Sequence, residues 1–272
     1  MAINYAEKYS AKIDEKFKLA SVTAAAVNND YDFVGVKTVK VYSIPTVEMG
    51  DYTREGSSRY GTPSELQDTL QEMTMSQDRA FTFTIDRGNN ADQMGVKDAA
   101  KALSRQIDEV IVPEVDVYRL SVMAAKAKAS AAAAITKDNA YSSFLDGVNA
   151  LTEAKAPMGG RIAYISPAFY KAIRMDEAFI KASDMAQNML VKGQVGEIDG
   201  IKLILVPTAY MPANVAFLIT NPIATCAPIK LAEYKIHDNP PGINGWLVEG
   251  RVYYDAFVLN NKAGVLYKHV TA

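Results

Sequence analysis

The chain has 272 residues, 49% of them hydrophobic and 22% charged, with a formal net charge of -2 at pH 7. That length supports one large domain or two modest ones with a sizeable core, and the apolar share excludes intrinsic disorder. A near-neutral surface excludes a strongly basic nucleic-acid-binding module, which needs clustered Lys and Arg to displace counterions, so any contact with DNA is expected to be weak and non-specific.

The single cysteine, Cys226, excludes an intramolecular disulfide, fits an intracellular site of synthesis and reads as a small buried hydrophobe. Charged residues from Glu7 to Lys18 break any signal-peptide core. Leu203 to Ile229 carries no charge, but Pro207, Pro212, Pro222 and Pro228 cut it into pieces too short to span a bilayer. Buried strands and loops are expected there, and no membrane contact.

Residues 1 to 30 read as an amphipathic arm. Tyr5, Tyr9, Ile13 and Phe17 recur every four residues beside Lys8, Lys12 and Lys16, and Asn28-Asn29-Asp30 ends the pattern. Phe33 to Ile44 reads as a strand, and so does the alternation of Phe81, Phe83 and Ile85 with Thr82, Thr84 and Asp86. These two strands are expected to form the stem of an excursion between Gly50 and Arg79, rich in Gly, Ser and charge. Within it, Thr62-Pro63-Ser64-Glu65 has a capping-box pattern and predicts a short helix with Leu66, Leu70 and Met73 on one face. The few large apolar side chains of this arm do not offset the entropy of ordering its backbone. It is therefore expected to be mobile in the free subunit or ordered by neighbouring chains.

After Gly88-Asn89-Asn90 a helical stripe runs through Val96, Ala99, Ala100, Leu103, Ile107 and Val110. Pro113 predicts a kink or break, with the helix resuming at Glu114 and continuing through the alanine-rich run to Ala134. Laid end to end, the two pieces would approach ~60 Å.

A compact α/β region follows. Asp138 is expected to cap a helix carrying Tyr141, Phe144, Leu145, Val148 and Leu151, which Pro157-Met158-Gly159-Gly160 stops. Arg161 to Ile165 reads as a strand, and Ser166-Pro167 opens a short helix through Phe169 and Ile173. Val195 to Ile198 and Ile201 to Val206 flank Asp199-Gly200 as a hairpin, and Val215 to Thr220 is a further strand. His237 to Gly245 reads as a loop around Pro240-Pro241-Gly242. Trp246, Val248, Val252, Tyr254, Ala256 and Val258 then alternate along one long strand, and Asn260 to Gly264 turns the chain into Val265 to Tyr267.

Catalytic constellations are missing. The sequence has no G-x-S-x-G elbow, P-loop, G-x-G-x-x-G, H-E-x-x-H or C-x-x-C. His237 and His269, the only imidazoles, read as a loop and a terminal-strand residue. With one cysteine they leave little for an N/S-rich zinc site. Glu114 with Asp116, and Asp176 with Glu177, read as adjacent surface charges, and Gly193 with Gly196 as a flexible loop. No catalytic residue, metal or cofactor is expected.

In their order along the chain, several motifs resemble the major capsid proteins of tailed bacteriophages, which share the Hong Kong 97 fold. Val112-Pro113-Glu114-Val115-Asp116-Val117-Tyr118-Arg119 is similar to the V-P-E-x-D-x-Y-R of that family's spine-helix region. Asp78 to Asp86 resembles the D-R-x-F-x-F-x-I-D strand that closes its extended loop. Arg161 to Pro167, followed by Tyr170, resembles the opening of its axial domain, and Ile198-Asp199-Gly200-Ile201 that domain's hairpin.

The resemblance implies an α+β, Hong Kong 97-like fold: N-terminal arm over 1–33, extended loop and stem over 34–87, peripheral domain with spine helix and sheet over 88–137 and 231–272, and axial domain over 138–230. The axial tip, around Asp184 to Gly193, would face the capsomer centre. It implies a non-enzymatic subunit that assembles as pentamers and hexamers into the icosahedral head enclosing double-stranded DNA, in the virion after assembly in the bacterial host cytoplasm. The contact residues it implies are Tyr52, Arg54, Arg59, Tyr60 and Leu66 on the arm, Asn239, Pro240, Pro241 and Gly242 on the peripheral loop, and Tyr5, Tyr9, Ile13 and Phe17 on the N-terminal arm.

No long charged helical domain precedes the arm, so a separate scaffolding protein is implied, together with a portal protein and packaged DNA. Some relatives join the extended loop to the peripheral loop by a Lys to Asn isopeptide bond. Asn239 lies in the corresponding loop, but no lysine lies between Gly50 and Arg79. No such crosslink is expected, and shell strength would come from many non-covalent contacts. Two rival readings remain: an encapsulin-like shell around protein cargo, and a small dimeric α/β enzyme, which a deep pocket with convergent titratable groups would favour.

Overall fold

The computed structural model describes residues 21–272 other than 32, 35, 64, 93–97, 178 and 180–195. β1 (Thr38–Ser43) pairs antiparallel with β2 (Thr69–Thr74), Val39 opposite Met73 and Tyr42 opposite Leu70. This corrects two expectations. The stem partner of the first strand is not Phe81 to Ile85, and no helix forms around Leu66, Leu70 and Met73 among the described residues. The capping-box pattern loses because Met73 and Met75, both fully buried, pack with Phe33 and Leu259, and only a strand delivers Met73 there while the backbone pairs with β1.

β3 (Gln77–Asp86) leaves that pair for a sheet built mainly from the far end of the chain. The Asp86 carboxylate accepts from Asn89 N–H at 3.0 Å at the start of α1 (Arg87–Asp92). α2 (Ala99–Gln106) is capped by Asp98, which accepts from Lys101 N–H at 3.0 Å. A π turn, Ile107–Ile111, follows and leads into α3 (Val112–Lys126), with Val112 N–H donating to Ile107 O. Widening the ladder by one residue just ahead of Pro113 relieves the clash its ring would make with the carbonyl four residues back. The extra residue also shifts the phase of the stripe, so Val110 is 45% exposed while Ile111 and Val115 are buried.

The helix ends at Lys126, not near Ala134, so Ala99 to Lys126 spans about 42 Å along the helix ladder instead of 60 Å. The alanine run is extended instead. β4 (Lys128–Ala129) opens it, Ser130 N–H donates to Lys268 O at 3.0 Å and Ala133 N–H to Val270 O at 3.0 Å. Alanine's helix propensity, under about 1 kcal/mol per residue, loses to this pairing with the last strand.

α4 (Ala140–Glu153) begins under a different cap from the one expected. The acceptor for Tyr141 N–H is the buried carboxylate of Asp176, at 2.9 Å, and not Asp138. β5 (Ile162–Ile165) and α5 (Pro167–Met175) follow as read, with Ser166 Oγ accepting from Phe169 N–H at 3.3 Å. β6 (Glu197–Ile198) and β7 (Ile201–Leu205) form the expected hairpin, whose Asp199 (φ 50°) and Gly200 (φ 72°) both take positive φ. The expected β8 (Val215–Thr220), the short β9 (Thr225–Cys226) and the unassigned β10 (Ile229–Asp238) come next. His237 and Asp238 thus belong to a strand, and the loop is 239–244.

β11 (Gly245–Tyr254) carries the alternation read from Trp246, but buried Asp255 breaks it before β12 (Phe257–Val258). A 3-10 turn, Asn260–Val265, leads to β13 (Tyr267–Val270), slightly later than expected. One sheet has the order β4-β13-β8-β5-β7-β6, a second β10-β11-β3.

The largest core joins the six-stranded sheet to α4 and α5 through Phe144, Phe169, Phe217 and Tyr267, with Phe169 and Phe217 ring centroids 4.7 Å apart. α4 approaches β13 so closely that a Cβ on Gly147 would lie 2.8 Å from the Tyr267 ring. A second core packs Leu103, Ile107, Ile111 and Val115 on Tyr234, Val248, Val252 and Tyr254. Cys226 is buried, as expected, and burial raises its pKa. No helix among the described residues is long and apolar enough to cross a membrane.

Candidate inter-subunit surface

Between β1 and β2, the described residues of the span 44–68 carry no regular secondary structure. Their hydrogen bonds among the described residues are local: Thr53 N–H to Arg59 O at 3.1 Å, Gly61 N–H to Ser58 O at 3.1 Å, and Arg59 Nε to Gly56 O at 3.2 Å. Tyr52 and Tyr60 meet edge to face at 5.0 Å. Arg54 lies on the same exposed turn. Met49 is 100%, Tyr60 94% and Tyr52 52% exposed, and Ile44, Val47 and Leu66 are also in solvent. Of the 15 large hydrophobic side chains exposed among the described residues, ten lie between Val34 and Leu70. Exposed apolar side chains are normally scattered singly over a surface, and here they are concentrated in one segment.

The base of this arm is fixed. Gln71 donates to Val258 O and accepts from Asn260 N–H, both at 2.9 Å, and Asn261 bonds Ser43. Phe33 stacks on Phe257 at 5.6 Å, and Tyr253 OH donates to Met75 O at 3.2 Å. The buried Asp255 carboxylate accepts from Ser76 N–H (2.6 Å), Ser76 Oγ (3.0 Å) and Tyr118 OH (2.7 Å). Burial, reinforced by that carboxylate, pushes the Tyr118 phenol up to about 12. The excursion is thus narrower than the sequence implied: residues 69–79 belong to the body.

In the loop 239–244 Asn239 has a left-handed backbone (φ 46°). Its N–H donates to Gly245 O at 2.7 Å and its side-chain oxygen accepts from Gly245 N–H at 3.1 Å. That side-chain oxygen is engaged in closing its own loop, leaving Pro241 and Gly242 exposed at the tip and Pro240 half-buried. Arg87 flanks the loop, paired with Asp238 at 3.1 Å and 5.4 Å from the Trp246 ring centre. Tyr5, Tyr9, Ile13, Phe17 and the tip from Asp184 to Gly193 lie outside the described residues.

The V-P-E-V-D-V-Y-R stretch is an internal junction. Glu114 pairs with Arg79 at 3.0 Å. Asp116 is 1% exposed and accepts from Ser21 Oγ (2.5 Å), Val22 N–H (2.9 Å) and Thr23 Oγ1 (2.5 Å). Arg119 donates to Thr23 Oγ1 at 3.2 Å, and Tyr164 OH to Val22 O at 3.1 Å. Burial lowers the pKa of Arg119, opposed by Asp116 beside it, and raises that of Tyr164. Reading Asp116 and Asp176 as surface charges is therefore corrected: both are buried and each takes backbone N–H bonds. Residues 21–30 likewise do not continue a free arm. Ala24–Ala26 is a 3-10 turn, and Asn28 bridges to Cys226.

His269 is buried in β13 with Nε2 3.0 Å from Ala133 O, and His237 faces Glu249 at 3.2 Å on the outer sheet face. A depression of about 430 Å³ on that face brings Glu233, Lys235, Glu249 and Arg251 together. Its charges alternate and pair, Arg251 with Asp78 at 2.6 Å, as on a solvated sheet face. No group of three or more His, Cys, Asp and Glu among the described residues is placed to hold a metal ion.

The model of a family described as phage capsid protein matches residues 71–267. Among solved structures, the chain is similar to one from Mycobacterium phage Che8, with a TM-score of 0.68 and 16% identity over 92% of this chain and 90% of that one. It is similar to the mature capsid of bacteriophage PhiM1, with a TM-score of 0.69 and 9% identity over 93% and 87%. A virus-like particle from Pyrococcus furiosus matches with a TM-score of 0.58 and 13% identity over 99% and 100%. At these identities the likeness concerns the fold alone. No curated protein matches the sequence.

Proposed function

This chain belongs to the phage capsid protein family, and from that premise we propose that it is the major subunit of a tailed-phage head, built as pentamers and hexamers into an icosahedral shell around double-stranded DNA. It is a shell-forming capsid protein with the Hong Kong 97-like fold. The observation that carries the finer reading is the arm, a pinned two-stranded base that holds an apolar tip out in solvent. One subunit gives that tip nothing to bury against. Neighbouring copies would, and many modest contacts repeated over a closed shell add up to a stable assembly.

In this reading Tyr52, Arg54, Arg59, Tyr60 and Leu66 contact the adjacent subunit, and Pro240, Pro241 and Gly242 meet others near the threefold positions. Asn239 supports the latter by shaping its loop. Residues 1–20 reach a neighbour, with Tyr5, Tyr9, Ile13 and Phe17 as the apolar face. The division into N-terminal arm, extended loop, peripheral domain and axial domain belongs to the same proposal. So do assembly in the host cytoplasm and the partners: a separate scaffolding protein, a portal protein, and DNA held weakly by a near-neutral subunit.

Electron microscopy of the purified protein, alone and with its scaffolding protein, tests the reading. Closed shells are expected, and particles that contain DNA distinguish a phage head from a shell around protein cargo. Monomers or dimers under all conditions, with an enzymatic activity copurifying, would overturn it.

A further inference from the structure

Asn244 and Gly245 form the single Asn-Gly pair in the chain, at the point where the loop 239–244 runs into β11. A backbone nitrogen that follows asparagine can attack the side-chain amide carbon, and glycine, with no Cβ to obstruct the approach, permits this most readily. Asn244 is exposed, and its side chain makes no hydrogen bond to another described residue, so the amide carbon is open to attack. The attacking nitrogen is held. Gly245 is buried, and its N–H donates to Asn239 Oδ1 at 3.1 Å. The oxygen of the same peptide group, Asn244 O, accepts from Arg87 N–H at 2.8 Å, and Gly245 O accepts from Asn239 N–H at 2.7 Å. Glycine is also required at 245. Its φ is 151°, and a Cβ there would overlap Ile85 O, because Gly245 pairs with Asp86 on β3.

We propose that Asn244 is a deamidation site of the folded protein and that the Asn239 side chain gates it. In the reaction the Gly245 nitrogen loses its proton to solvent base and bonds to Asn244 Cγ. The bond from Cγ to the side-chain nitrogen breaks, and that nitrogen takes up a proton and leaves as ammonia. Water then opens the five-membered imide at either carbonyl, leaving aspartate or isoaspartate, with nothing oxidised or reduced. Before the attack, the nitrogen must leave Asn239 Oδ1 and its peptide group must turn away from Arg87. The rate therefore follows local opening of the loop, not the intrinsic reactivity of the pair. Both products alter the loop. Either one places a new carboxylate beside Arg87, which already pairs with Asp238 at 3.1 Å. Isoaspartate also lengthens the main chain by one atom immediately before the first paired residue of β11. The inference is independent of the shell reading above.

The test incubates full-length subunits at mildly alkaline pH, folded and in guanidinium chloride, and follows Asn244 by peptide mapping and mass spectrometry. Conversion of amide to acid at Asn244 is expected in the folded protein, slower by about tenfold or more than in the denatured chain. Asn239→Gly keeps the left-handed backbone and removes the acceptor. It should speed conversion in the folded protein by about two- to tenfold, with hydrogen exchange at the Gly245 amide rising by the same factor. Asn239→Asp, which keeps an acceptor oxygen, should stay near the wild-type rate. If Asn239→Gly does not fold, wild type in guanidinium below its unfolding transition gives the same comparison of conversion with Gly245 exchange. Folded wild type that never converts while the denatured chain does would overturn the site. Conversion as fast folded as denatured, or conversion that does not follow Gly245 exchange, would overturn the gate.

Discussion

Replacing Asp116 by alanine removes, from a site 1% exposed, the carboxylate that holds Ser21, Val22 and Thr23 and balances Arg119. A hydrogen bond to a charged group contributes about 1.5 to 3 kcal/mol, and leaving the buried Arg119 charge without the carboxylate that opposes it costs about 3 to 5 kcal/mol. These overlap, because Arg119 shares the same two hydroxyls, so about 3 to 5 kcal/mol is expected in all. In a chain of this size that lowers the melting temperature by roughly 5 to 10 °C. The measurement belongs on unassembled subunits, since assembly would mask the loss by mass action. Hydrogen exchange at Val22 should accelerate together with the fall in stability. In Asp116→Ala/Arg119→Met the stranded charge is gone, so the double variant should lose less than the two single effects added. A change under about 1 kcal/mol, or exchange at Val22 as slow as in wild type, would refute the role given to Asp116.

Tyr118→Phe should cost about 1 to 2 kcal/mol, because Asp255 keeps its other donors. The raised phenol pKa means that folding favours the neutral form. Its stabilisation is fully present below pH 10 and lost as pH rises towards about 12, a decline visible in wild-type denaturation curves and phenolate absorbance and reduced in the variant. Met49→Ser with Tyr60→Ser should leave free-subunit stability within about 0.5 kcal/mol, since both side chains are in solvent, while light scattering shows assembly impaired. Gly147→Ala should destabilise by about 1 to 3 kcal/mol in thermal unfolding even though alanine is the better helix former. A more stable variant would mean that α4 does not lie against Tyr267 as described.

Features set by local chemistry and by alternation within a few residues can be read directly from the residues. The Asp199-Gly200 hairpin, the Ser166-Pro167 helix start, Val215–Thr220, the disturbance at Pro113 and the projecting, lysine-free arm were legible because turn stereochemistry, capping and proline's missing donor act on neighbours. Which segments pair and which charges are buried depends on the folded chain. β2 replaced a well-marked helix start because Met73 and Met75 fill the space left by Phe33 and Leu259, and the alanine run became extended because β13 offered it hydrogen bonds. Asp116 and Asp176 read as surface acids in the sequence, yet they, like Asp255, take hydrogen bonds from residues 35 to 179 positions away. Pairing and burial depend on contacts between segments remote in the chain, whose energies of a few kcal/mol outweigh local preferences of under about 1 kcal/mol per residue.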